Sequence, residues 1–228
     1  MPVEVISYML SNEDIRRRLQ FRMILQGAPF FKGIKVACVM NLEASQCEEL
    51  EEALEETGIQ YFVLASRKGK SLVYFYRRKS LIRYLKRRDV ASFLREYGYA
   101  YDMEEGEEGR AGTLNADEME EEWLERVLER LAHRVCEYSG NHICFPHEIG
   151  AFLDYPVEDV RGFIRQEGKG SLLTGYWKVY ENPERARMIF LAYDKAKTSA
   201  VNEFLTGKRM CEIVCHDRYG IENPKGND

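Results

Sequence analysis

The sequence predicts an α+β protein, with a small mixed sheet and flanking helices in the N-terminal half and a mostly helical C-terminal half. Three observations carry that expectation. Residues 1–101 read as helix, strand, helix, strand, strand, helix, an order that suits a small layered sheet rather than a doubly wound nucleotide fold. The stretch YDMEEGEEGRAGTLNADE then interrupts the apolar pattern with glycines and acids, as a linker does. After it, apolar residues recur mainly at helical spacing. The expected division is 1–101 as a small α/β layer, 102–116 as an acidic Gly-rich linker or loop, and 117–228 as a mostly helical region, with a disordered tail from about 217. The two parts are also compatible with one composite domain.

In chain order, residues 12–26 predict a helix, with Ser11 or Asn12 as cap and Ile15, Leu19 and Met23 on one face. QGAPFFKG, with Gly and Pro, is expected to break it, and IKVACVMNL follows as a buried strand. EASQCEELEEALEETG predicts one acidic amphipathic helix closed by Gly58. QYFVLAS and SLVYFYRR flank RKGK and predict a hairpin. SLIRYLKRRDVASFLREYG predicts a single helix closed by Gly98. Beyond the linker, ADEMEEEWLERVLERLAHRVCEY predicts a long helix with Met119, Trp123, Val127, Leu131 and Val135 on its apolar face, its acids placed early as the helix dipole prefers. Phe145 to Gln166 reads as two short helices around the DYP turn, with Glu158 and Asp159 in the second helix's first turn. GKGSLLTGYWKVY gives a Gly-rich loop and a short strand. The last long helix opens with Asn182 as cap and Pro183 at the first position, and closes at Gly207.

A chain of 228 residues holds a core without staples. No apolar run is long enough to cross a bilayer, and the N-terminal residues lack the pattern of a signal peptide. Six cysteines, at 38, 47, 136, 144, 211 and 215, are too scattered for a disulfide scaffold and predict a reducing, cytoplasmic setting. No Gly-rich phosphate loop follows any strand. The net charge of −5 hides segregation: residues 67–88 carry ten Lys or Arg and no acid, whereas 102–129 carry twelve acids and two arginines. Tyr74, Phe75, Tyr76 and Tyr84 interleave with the basic stretch, a pattern that suits stacked nucleic-acid bases. The overall negative charge instead favours acidic and basic faces that neutralise each other within the molecule or simply face water, and makes nucleic-acid binding the weakest reading.

Several segments carry a family resemblance. QGAPFFKGIKVACVMNL, SLVYFYRRKSLIRYL with SFLREYGY, and FPHEIGAFLDYPVEDVRGFIRQEGKG with GYWKVYENPERARMIFLAYDKAK occur in one order, from about Gln26 to Gly207. Together they resemble the bacterial domain-of-unknown-function family 3793 (DUF3793), found mainly in anaerobes. The resemblance implies no established activity. Relatives tend to accompany flavodoxin and iron-related genes, which implies a cytoplasmic binding or accessory protein in anaerobic redox or iron metabolism. The implied partner is a flavodoxin-like protein or a small anionic cofactor. Relatives often carry Cys near the positions of Gly27, Thr174 and Ala196, and Gly at that of Asp154; this chain departs from both patterns.

Four candidate sites follow. His142 and Cys144, with His147 close by, and Cys211, Cys215 and His216 are borderline-soft groups that suit a zinc or iron ion. Neither cluster has a zinc-finger spacing, Cys-x3-Cys-His is one residue longer than a haem-attachment motif, and Cys144 between Ile143 and Phe145 equally reads as core. His147 at a helix start is favoured as a neutral base, with Glu148 beside it as second catalytic candidate, although sequence neighbours on a helix do not face each other. The plainer reading is that both groups serve the two-helix unit. IGAFLDYPVEDVRGFI has the rhythm of a helix-turn-helix, but carboxylates at 158 and 159 would face phosphate, so a structural corner is expected. Finally, Lys35, Tyr76, Arg77, Lys169, Trp177, Lys178 and Tyr180 suit an anion or flat-ring site, with Gly168 and Gly170 allowing close backbone approach. Against that, Trp177 and Tyr180 also read as core anchors and the lysines as solvated. An enzyme using His147, with Lys178 or Arg77 holding an anionic substrate, is the alternative to the binding role.

Overall fold

The computed structural model describes residues 3–99, 115–141 and 145–215. Its elements are α1 (Val3–Leu10), α2 (Ile15–Phe31), β1 (Ala37–Glu43), α3 (Ala44–Glu48), α4 (Leu50–Ala53), β2 (Gln60–Arg67), β3 (Lys70–Tyr76), α5 (Arg78–Leu85) and α6 (Arg88–Arg95). Then follow α7 (Ala116–Asn141), α8 (Ile149–Phe152), α9 (Val157–Arg165), β4 (Leu173–Thr174), β5 (Lys178–Val179), α10 (Pro183–Leu205) and α11 (Met210–Ile213). The fold is α+β, with the longer helices in the C-terminal half. None of the described helices is long and apolar enough to cross a membrane.

The sheet has the order β1-β3-β2 and is antiparallel throughout. The β2–β3 hairpin closes where RKGK places it. Arg67 pairs with Lys70, and Lys68 and Gly69 between them both have positive φ, at 49° and 73°. That is the backbone a two-residue loop needs to match strand twist. Alternation along β3 then assigns the layers. Val73 and Phe75 join the core formed with α2, α4, α10 and α11, while Tyr74 and Tyr76 join the core formed with α5, α6, α7 and α8. Residues from both sides of the acidic segment thus share each core, and α10 lies along α2 while α7 covers β2.

Several boundaries differ from the sequence expectation. The α2 helix is capped by Asp14, whose side chain accepts the Arg17 N–H, rather than by Ser11 or Asn12. It also continues through Gly27 and Pro29 to Phe31, because Ala28, Phe30 and Phe31 are fully buried and packing outweighs propensity. Gly27 is needed there: a Cβ would lie 2.6 Å from Met40 and 2.7 Å from Phe31. The expected single helix over 43–58 is two short pieces, α3 and α4. Gln46 is buried; its side chain accepts the Glu43 N–H and an Arg22 N–H, which anchors the first piece.

The expected single helix ending at Gly98 is also two, α5 and α6. Carried on without a break, Val90 would sit about 180° around the axis from Leu81. The turn at Lys86 and Arg87 lets Leu81, Leu85, Val90, Phe93 and Leu94 all reach one core. Arg78 on α5 and Lys86 just after it form ion pairs with Glu121 and Glu120 on α7, so part of the basic stretch is met by the acidic one within the molecule. The helices α1 and α11 were not expected. The α10 start follows the sequence reading: the Asn182 side chain accepts the Arg185 N–H and Pro183 is the first helical residue.

Candidate functional site

The segment FPHEIGAFLDYP folds into a corner in which α8, a single helical turn, is followed by α9. Two buried tyrosines, one on β3 and one on α5, hold the turn. Tyr74 Oη donates to the Phe152 carbonyl at 2.7 Å and Tyr84 Oη to the Ala151 carbonyl at 2.9 Å. Asp154 turns the chain with φ of 60°, in the left-handed region that glycine occupies most easily. With four residues, α8 is shorter than the first helix of a helix-turn-helix.

The β4–β5 hairpin lies against α9, and Asp159 joins them. This carboxylate is 4 % exposed. Its Oδ2 accepts the Trp177 Nε1–H at 2.7 Å, and its Oδ1 accepts the backbone N–H groups of Tyr180 at 2.7 Å and Glu181 at 3.2 Å. Its negative charge is therefore met by three donors. Gly162, one turn along α9, lets the hairpin close in; a Cβ there would lie 2.6 Å from Tyr180 Cβ and Cγ.

Between corner and hairpin lies a cleft of about 310 Å³. Its walls are largely apolar: Phe145, Ile149, Leu153, Tyr155, Val160, Phe163 and Trp177. Trp177 stacks on Tyr155 with centroids 5.4 Å apart and meets Phe190 edge-on at 4.6 Å, which fixes its ring. The polar lining consists of His147, Asp159, Thr174 and Lys178. The His147 ring sits 5.3 Å from that of Phe145 and 4.9 Å from that of Phe163. Burial among these rings lowers the histidine pKa, opposed by the nearby Glu148, so the imidazole is neutral at pH 7. Lys178 Nζ donates to the Gly168 carbonyl at 2.6 Å and lies 5.8 Å from the Phe163 ring centroid.

Of the candidate site residues among the described ones, the cleft lining includes His147, Trp177 and Lys178 and does not include Lys35, Tyr76, Arg77, Glu148, Lys169, Tyr180, Cys211 or Cys215. Glu148, 1 % exposed, forms an ion pair with Arg134 of α7 and accepts from Tyr99 Oη at 3.3 Å, so it anchors the corner rather than assisting His147. Arg77 donates to the carbonyls of Phe30, Phe31 and Cys215, at 2.9, 3.2 and 3.0 Å, and secures the end of α2. Tyr76 stacks on Tyr74 in the sheet core. Lys35 Nζ lies 4.8 Å from the Tyr155 ring centroid. Lys169 is exposed beside Glu167, and Tyr180 is buried over Gly162. The proposed anion group therefore does not converge as a set.

Cys211 and Cys215 are half-buried free thiols. His142, Cys144 and His216 lie outside the described residues. Among the described residues, no group of three or more His, Cys, Asp or Glu side chains could hold a metal ion. The sequence reading missed Phe145, Tyr155, Phe163 and Thr174 as lining, and read Asp159 only as an acid suited to a helix start. Its 18-residue separation from Trp177 leaves no periodic signal. No curated protein and no solved structure matches the chain. Residues 23–214 match the family described as protein of unknown function (DUF3793), and the chain belongs to that family.

Proposed function

We propose that this protein binds a small, largely apolar molecule in the cleft between the α8–α9 corner and the β4–β5 hairpin. The observation that carries this reading is the cleft itself: about 310 Å³, walled by aromatic and aliphatic side chains, with a few polar groups at fixed positions. Such a combination is what a small-molecule site requires. Binding is preferred over acid–base catalysis because Glu148 is committed to Arg134 and Tyr99, and Arg77 to backbone carbonyls. We place the protein in the cytoplasm on the strength of its scattered cysteines. The redox or iron setting and the flavodoxin-like partner come from the family resemblance, and this reading does not depend on them.

The test is a titration with N-phenyl-1-naphthylamine, a neutral apolar fluorophore. Saturable one-to-one binding is expected, with a rise in Tm that grows with probe concentration. Thr174→Trp, which fills the cleft from β4, should abolish it. Absence of saturable binding, or unchanged binding by a folded Thr174→Trp protein, would overturn the reading.

A further inference from the structure

We infer that the ligand of this cleft is an apolar monoanion, a carboxylate by class, whose charged group rests on the Lys178 ammonium. The inference depends on the cleft being a binding site, as proposed above, and adds the chemistry of what it takes. It follows from the charges that line the cleft. Asp159 is saturated: three N–H groups converge on its two oxygens, and it is buried. His147 contributes a neutral ring at pH 7. Lys178 differs from both. Its ammonium has three donors, and its hydrogen bond to the Gly168 carbonyl uses one. Among the described residues no carboxylate forms an ion pair with it. A neutral ligand would cover that charge with apolar surface, and a cationic one would be repelled. A carboxylate accepts the remaining Lys178 donors in charge-assisted bonds.

The loop beneath Lys178 argues for a monoanion rather than a phosphate. Gly168 and Gly170 have positive φ, as in a phosphate-cradling loop, but the first two amides of this loop are spent. The Gly168 N–H donates to the Phe163 carbonyl and the Lys169 N–H to the Gln166 carbonyl, both at 2.9 Å. With these two amides spent, the single positive charge of the Lys178 ammonium matches a single negative charge. The ligand's body then lies against Phe163 and Trp177, which line the same cleft.

The decisive experiment compares two matched probes, 2-naphthoate and 2-naphthalenemethanol, by isothermal titration calorimetry at pH 7.5. The whole protein is used, as wild type, Lys178→Met and Lys178→Arg. Naphthoate should bind wild type at least about 10-fold more tightly than the alcohol, the size of one charged hydrogen bond. Lys178→Met should level the two, and Lys178→Arg should keep the preference, with thermal melts verifying that both variants fold. Equal binding of both probes by wild type overturns the inference and leaves the cleft reading standing. A preference that survives in folded Lys178→Met also overturns it, since the charge would then be read elsewhere. Binding of neither probe removes the cleft reading and this inference with it.

Discussion

Replacing Asp159 with Asn should detach the β4–β5 hairpin from α9 and open one wall of the cleft. Aspartate accepts on both oxygens, from Trp177 Nε1 on one side and from Tyr180 N and Glu181 N on the other. Asparagine accepts on only one. With its carbonyl toward Tyr180 and Glu181, its NH2 group faces the indole N–H, donor against donor. Flipped, it abandons two backbone donors. The better orientation loses one charge-assisted bond and leaves a buried donor unmet, a cost of about 2–3 kcal/mol. Asp159→Ala loses all three bonds and should cost about 4 kcal/mol or more.

The assay uses Trp177 as its own reporter. The chain has two tryptophans, so Trp123→Phe provides a background in which all tryptophan emission comes from the hairpin. Urea midpoints at constant m give the change in stability. Hydrogen exchange at the Tyr180 and Glu181 amides gives the local one, which matters because a short hairpin can open without global unfolding. Asp159→Asn should red-shift Trp177 emission, speed exchange at both amides and weaken N-phenyl-1-naphthylamine binding. An Asn variant within about 0.5 kcal/mol of its parent, with unshifted emission and unchanged exchange, would falsify the view that this carboxylate holds the cleft together.

Two further outcomes follow from the same geometry. Gly162→Ala pushes a methyl group into the Tyr180 ring and should cost about 1–3 kcal/mol by overpacking; a urea midpoint equal to wild type would contradict the close α9–β5 contact. Glu203, on α10, should make stability acid-sensitive. Burial would raise its pKa, but hydrogen bonds from Lys32, Ser199 and Lys208 hold it at about 2, below the ordinary 4.5. A depressed folded pKa means the stabilisation is complete above about pH 4.5 and is lost as pH falls towards 2. After allowance for solvent screening of the outer lysine, on the order of 1–2 kcal/mol is at stake. Glu203→Gln should flatten that part of the stability–pH curve, and parallel curves for the two proteins would count against the assignment.

How legible the fold was depended on whether the controlling residues are neighbours in sequence. The RKGK hairpin and the Asn182-Pro183 helix start were readable because a turn and a cap are decided within four residues. The break between α5 and α6 was not. The sequence from Ser80 to Gly98 has continuous helical propensity, and only the position of the core makes an unbroken helix impossible, by turning Val90 away from Leu81's side. The same holds for Pro29, which reads as a terminator until the burial of Phe30 and Phe31 is known.

The candidate site was legible in part for the same reason. Lys178 and Trp177 share a two-residue strand and its turn, so sequence placed them together, and the structure keeps them on one cleft. Arg77, Lys35 and Tyr76 were grouped with them by chemical type alone. A residue's type says what it can bind, but its unspent donors decide what it does bind. The Arg77 guanidinium is spent on three carbonyls, whereas the Lys178 ammonium has met only one. Asp159 shows the converse. It read as a helix-dipole acid, and its exchange of three hydrogen bonds with a hairpin 18 to 22 residues away is what turns a corner into one side of a cleft. Sequence supplies the donors and acceptors; only the fold shows which of them are already spent.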